Sequence, residues 1–350
     1  MSKRAGKPRF KGISEKEMTG SINRSKGRIT SSPFKVSKKE RKRRESAEKD
    51  WKGSRKKIKV ALCLYGKVGN IKGKSGGESR EGGEDFNQMA GSDIVLELAY
   101  KHWYQHLLKS NKEFEVDIFV WSWDVELKDK IEKIFKPKRS YYENQITFKV
   151  DSSWKDKQYG RKYGGPIFNA QRHQNHYSRF YSMQKCVDLK CAQEKRNKQK
   201  YDMVMVSRFD LCLTKKLDMK RFHKTLIKNP KFIFHNGGPA WQNIRKQKVQ
   251  DNYFFSGSDN IDRFSRIYDF LTYYARDKRA KTRGSRGISA HKICCRHIYN
   301  LALKPKWSTI ESDKSLVHAQ EAPLVRYLYF NYYPGAETKS QFHPRGQQNI

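Results

Sequence analysis

The sequence predicts an α/β fold built on a mostly parallel sheet, and three stretches carry that prediction. Residues 201–213, YDMVMVSRFDLCL, hold the unbroken apolar run Met203 to Val206 and lead directly into Ser207, Arg208, Phe209 and Asp210. Residues 58–65, IKVALCLY, and 116–121, VDIFVW, are apolar stretches of similar length. Such runs mark strands buried on both faces, the habit of parallel strands in α/β folds. Ligands of these sheets bind at the carboxyl ends of the strands, where this chain sets an arginine and a carboxylate.

The chain before the first strand reads differently. Residues 1–59 carry 22 Lys/Arg against 6 Asp/Glu, with almost no apolar periodicity. A segment of that composition buries too little surface to offset its ordering entropy, so residues 1–57 are expected to form a disordered basic arm. KKERKRRE at residues 38–45 is either an address, a polyanion contact or plain solvated charge. Such arms bind nucleic acid or anionic membrane without reading sequence. The rest of the formal net charge of +39 lies beyond the arm, as in EKRNKQK at 194–200.

The strand at 58–65 leads through Gly66 into a glycine-rich loop reaching Gly91. Gly69, Gly73, Lys74 and Ser75 fall one residue short of the phosphate-cradling G-x-x-x-x-G-K-[ST] loop. GGESREGGED follows where a helix would have to begin, so a mobile loop near a ligand is the better reading and an inert insertion its alternative. Residues 92–108 then show helical spacing through Ile94, Leu98 and His102, with Ser92 or Asp93 as cap, before the strand at 116–121. Strand, helix and strand make a βαβ unit.

A further short strand is expected at 146–150, and a polar loop at 155–166. Residues 169–198 predict a long helix whose packing stripe is Tyr177, Phe180, Gln184, Val187 and Cys191, with Lys185, Lys190, Lys195 and Lys198 outside it. Strands are expected at 231–235 and 251–256. A helix capped by Ser258 or Asp259 follows, then a basic loop, a helix at 289–303 and a last helix at 322–329. The organisation expected is an arm (1–57), one α/β domain (58–335) and a flexible tail (336–350).

The six cysteines show no paired C-x-x-C spacing, which favours free thiols in a reducing compartment. No run of about 18 apolar residues occurs, and no apolar segment follows the first basic residues, so a cytoplasmic chain with no transmembrane segment is expected. His173 with His176, and His291, Cys294, Cys295 and His297, contain zinc-type ligands at close spacing, although Cys294, Ile298 and Leu301 equally form an apolar helical face.

Taken together, IKVALCLYG, VDIFVWSW, HYSRFYSMQKCVDL, YDMVMVSRFDL and DNYFFSGSDNIDRF resemble nucleotide-sugar-dependent glycosyltransferases of the GT-A kind, such as those of viral genomes and surface-polysaccharide loci. The blocks are scattered over residues 58–330, and YDMVMVSRFDL is the most specific. The resemblance implies a Rossmann-like GT-A-type three-layer sandwich that transfers a sugar from a nucleotide-sugar donor to a glycan or protein acceptor, with a divalent metal, Mn or Mg, as cofactor. It implies donor contacts from Tyr65, Gly66, Ser122, Ser178, Arg208 and Asp210, metal binding by Asp210, and Asp251 as base or orienter of the acceptor hydroxyl. His318 and Glu321 stand where resembling proteins place late polar residues. Where such enzymes usually carry Asp-x-Asp, this chain carries Arg208-Phe209-Asp210 with a single acid.

The chemistry is coherent, because a departing diphosphate needs a metal, cationic side chains or both. A structural salt bridge at a strand end is the plain alternative for Arg208 and Asp210, and a turn-forming aspartate for Asp251. Two other functions compete: a nucleic-acid-binding protein working through the basic arm, and a nucleotide-phosphate enzyme using the glycine-rich loop.

Overall fold

The computed structural model describes residues 57–68, 92–149, 165–213, 215–236, 249, 251–276, 289–307 and 316–318. The expected arm up to residue 56, the glycine-rich loop from Gly69 with Lys74, the helix at 322–329, Glu321 and the C-terminal tail lie outside the described residues.

Seven strands form one open sheet. β1 (Ile58–Gly66), β2 (Phe114–Ser122), β3 (Arg139–Tyr142), β4 (Met203–Arg208), β6 (Phe232–His235), β7 (Tyr253–Ser256) and β8 (Lys304–Trp307) lie in the order β3-β2-β1-β4-β7-β6-β8. β1 runs parallel to β2 and β4, β2 to β3, and β6 to β8; β7 alone is antiparallel to its neighbours. β5 (Leu211–Leu213) pairs separately with β9 (Leu316–His318). The fold is therefore α/β with a mostly parallel sheet, compatible with a Rossmann-like arrangement. The chain winds outward from β1 through β2 to β3 and returns on the other side of β1 as β4, which makes the β1/β4 boundary the switch point where such sheets open a crevice.

The alternation of strand residues builds two cores. Val60, Leu62 and Leu64 of β1 join Met203 and Met205 of β4 on one face, under α1 (Ser92–Trp103), α2 (Lys128–Phe135) and α4 (Met219–Lys228). Ala61, Cys63 and Tyr65 join Val204 and Val206 on the other, under α3 (Gly165–Asn197), α5 (Ser258–Phe264), α6 (Leu271–Arg276) and α7 (Ala290–Asn300). The two-residue period of a strand makes this division, and continuing it places Arg208 on the α3 face with Val204 and Val206.

Several expectations require correction. Residues 146–149 form no strand; their backbone is held by the Gln174 side chain on α3, which accepts from Phe148 N at 2.8 Å and donates to Ile146 O at 2.6 Å. The third strand is instead Arg139–Tyr142, a polar edge strand. The cap of α5 is Gly257 in extended conformation, not Ser258 or Asp259. Along α3 the buried line is Phe180, Met183, Val187, Lys190 and Glu194, so Lys190 lies inside the packed face and not outside it. No helix among the described residues is long and apolar enough to cross a membrane.

Candidate functional site

The carboxyl ends of β1, β2 and β4 bring four of the expected residues to one edge of the sheet. Gly66 ends β1 with φ +92°, a conformation that costs a residue with Cβ and suits glycine. Its carbonyl accepts from Ser122 Oγ at 3.1 Å, and the same hydroxyl accepts from Asp124 N at 3.1 Å. Asp124 Oδ2 in turn accepts from Val68 N at 2.5 Å, so the chain leaving β1 is tied to the chain leaving β2. Ser122 is fully buried, and its hydroxyl works as a clamp between the two strand ends.

Arg208 stands opposite Tyr65 in the β1/β4 ladder. Its Nε donates to Asp210 Oδ1 at 2.9 Å and its Nη2 to Asp210 Oδ2 at 2.6 Å, a two-pronged pairing across a turn of the same chain. Asp210 is fully inaccessible, whereas the Arg208 side chain keeps 18% of its surface exposed. The exposed end of this pair is thus the cation. β9 returns the chain to this point, since His318 is the register partner of Leu211, the residue after Asp210.

A second pairing lies beside the first. Arg179 on α3 donates through Nη1 to Asp251 Oδ2 at 2.6 Å and through Nη2 to the Asp251 carbonyl, while His291 Nδ1 lies 3.1 Å from Asp251 Oδ1. Burial by itself raises a carboxyl pKa, yet Arg179, then His291 and the more distant Arg208, hold Asp251 well below the usual carboxylate range. The same guanidinium lies against the Tyr65 phenol, whose proton is held more tightly than usual chiefly by burial. Arg179 remains charged because its partners outweigh its burial. A carboxylate so strongly committed is a poor proton acceptor, and the geometry makes Asp251 an anchor for Arg179 and His291.

Ser178, one residue before Arg179, turns elsewhere. Its Oγ donates to Gln145 Oε1 at 3.1 Å, fastening α3 to the segment after β3. Next to Ser122 stands an aromatic wall: Trp121 and Trp123 meet edge to face at 4.3 Å between centroids, Tyr181 stacks on Trp123 at 5.6 Å, and Tyr268 packs against Tyr181 at 5.3 Å. Among the described residues, the buried indole N–H of Trp123 has no hydrogen-bond partner.

The sequence pointed to Tyr65, Gly66, Ser122, Arg208, Asp210 and Asp251, and missed Arg179 and the role of His291. A signal for Arg179 existed. It continues the line Lys190, Cys186, Met183 at helical steps toward the N-terminus, which sets a lone arginine on the buried face of α3.

Among the described residues, Asp210 and Asp251 are poorly disposed to hold a divalent metal at this edge. Both oxygens of Asp210 accept from Arg208, and those of Asp251 face Arg179 and His291. The zinc-type ligands separate likewise: His297 bonds Tyr274, His291 faces Asp251, and Cys294 and Cys295 are buried free thiols. Among the described residues one three-ligand group exists, Cys191, Glu194 and Asp262, and there the Lys190 ammonium already bonds both carboxylates. No protein-family model matches the chain, and no curated protein matches its sequence.

Proposed function

We propose that this chain is a glycosyltransferase that uses a nucleotide-sugar donor, on a domain of the GT-A type. One observation carries the reading: the switch point of the sheet gathers Tyr65, Gly66, Arg208 and Asp210, with Arg179 and Asp251 directly behind them. Crevices at the carboxyl ends of parallel strands are where doubly wound folds take nucleotides. The resemblance of YDMVMVSRFDL and its companion blocks supports the choice of donor, and a mostly parallel sheet of seven strands supports the domain type.

In this reading Arg208 meets the diphosphate, held in place by Asp210. Negative charge develops on the leaving diphosphate as the glycosidic bond to it breaks, and a fixed guanidinium stabilises that charge without reorganising. Asp251 acts through Arg179 and His291, which it orients. Ser122 and Gly66 shape the backbone at the mouth, and the half-buried faces of Tyr181 and Tyr268 offer stacking area beside it.

The test is a thermal-shift and hydrolysis screen of the full chain against UDP-, GDP-, CMP- and dTDP-sugars. One donor class should raise the melting temperature and be hydrolysed slowly, and Arg208→Ala should reduce both effects while the variant remains folded. A chain that is shifted by no nucleotide or nucleotide sugar, or a folded Arg208→Ala variant indistinguishable from wild type, refutes the reading.

A further inference from the structure

Resting on the glycosyltransferase reading, we propose that this site binds its nucleoside diphosphate through arginine N–H groups and without a divalent cation. The argument begins with Arg208-Phe209-Asp210, in which a cation stands where a second acid would help to hold a metal. Asp210 offers two oxygens, and Arg208 takes both, at 2.9 and 2.6 Å. A metal that displaced Arg208 from Asp210 would break a charge-assisted fork and leave the guanidinium in a mostly buried place without its counter-charge. Removing one partner of a buried pair is strongly unfavourable, which opposes displacement of the arginine by an ion. Asp251, beside this pair, is committed to Arg179 and His291.

The same pairing prepares Arg208 for phosphate. A guanidinium presents five N–H donors in a rigid fork. Arg208 spends Nε and Nη2 on Asp210, so Nη1 takes no part in that fork. Arg179 spends Nη1 and Nη2 on Asp251 and lies against the Tyr65 phenol, so it backs the site rather than lining its open side. Asp210 therefore fixes Arg208 in orientation while leaving it donors to give.

The experiment is isothermal titration of the full chain with UDP, GDP, CDP and ADP, once in EDTA and once with excess manganese. The nucleoside diphosphate that binds should do so in EDTA with a dissociation constant within about threefold of that in manganese, a difference too small for a lost metal contact at 1.4 kcal/mol per tenfold. Arg208→Lys, which keeps the charge and loses the fork, should weaken binding by roughly tenfold in both buffers. Binding that appears only with manganese overturns the proposal and leaves the glycosyltransferase reading standing. Binding of no nucleoside diphosphate or nucleotide sugar in either buffer overturns both. Electron paramagnetic resonance of manganese with the chain alone should show only the free-ion spectrum, and a bound-ion spectrum lost in Asp210→Asn would overturn the metal-free site.

Discussion

Arg179 and Asp251 are joined twice: Nη1 donates to Oδ2 at 2.6 Å and Nη2 to the backbone carbonyl of the same residue. One arginine on α3 thereby fixes both the side chain and the main chain of the residue that introduces β7. The consequence is positional. Tyr253 of β7 is the register partner of Ser207, next to Arg208, so the pairing sets the height of the β4 end against α3.

Replacing Arg179 by methionine leaves Asp251 buried with His291 beside it and Arg208 farther off. Loss of about 3–5 kcal/mol of unfolding free energy is expected at pH 7 in urea titrations, the usual cost of orphaning a buried charge. Arg179→Met/Asp251→Leu should lose less than the sum of the two single changes, by more than about 1 kcal/mol, because the second removes the charge stranded by the first. Additive losses would show that the two groups do not depend on one another.

Gly66→Ala tests the backbone at the mouth. A Cβ there would meet nothing closer than Ser182 Oγ at 3.7 Å, an ordinary contact, so sterics alone would permit it. The backbone conformation does not. At φ +92° an alanine should cost about 1–2 kcal/mol, and relief of that strain should displace the carbonyl that Ser122 holds. An alanine variant as stable as wild type, with unchanged donor binding, would show that the mouth does not depend on this conformation.

The central strands were legible because burial on both faces writes itself as unbroken apolar sequence, as in Met203 to Val206 and Ala61 to Leu64. Edge strands carry no such mark. Arg139–Tyr142 is polar, and Lys304–Trp307 contains Pro305, tolerated because β8 lies at the margin of the sheet. α4 was overlooked although Asp218 caps it, accepting from Arg221 N at 3.0 Å, and Met219, Phe222, His223 and Leu226 bury one face. At the site, residues on strand ends were readable from position alone. Arg179 was not, because its partner Asp251 is 72 residues away and only the fold joins them.

Lys190 offers a control far from the site. Its ammonium bonds Glu194, Asp262 and Ser258, and Glu194 also accepts from Tyr201 N at 2.9 Å before β4 begins. The Asp262 and Glu194 partners outweigh burial and hold the lysine proton more tightly than usual. Lys190→Met should lower stability by about 3–5 kcal/mol, since two carboxylates lose their shared cation, without altering nucleotide affinity of the folded protein. Equal damage to affinity would mean that this cluster and the strand ends are coupled.

Three buried histidines shape the response to mild acid. His297 is fixed in its neutral form by its partners: the Arg263 carbonyl can only accept, so Nε2 carries the proton at 3.2 Å, and Nδ1 accepts from the Tyr274 hydroxyl at 2.7 Å. Burial pushes the pKa of His297 down to about 4, and burial does the same to His235, also to about 4. His223 moves in the same direction, again through burial. The unfolded chain therefore takes up protons on these side chains from about pH 6.5 downward while the folded chain refuses them, so the histidines lower stability as pH falls between about 6.5 and 4. Asp251 adds nothing to this slope, because a carboxyl depressed in the folded state gives its full contribution above about pH 4 and loses it only below. Moving from pH 7 to pH 5 should cost about 1–2 kcal/mol for each of His235 and His297, read from urea midpoints at fixed ionic strength. His297→Gln should lower stability at pH 7 but remove its share of the pH dependence, so that its curve and the wild-type curve converge toward pH 5. Parallel curves, or a wild-type stability that is flat from pH 7 to pH 5, would show that His297 is not held neutral by the fold.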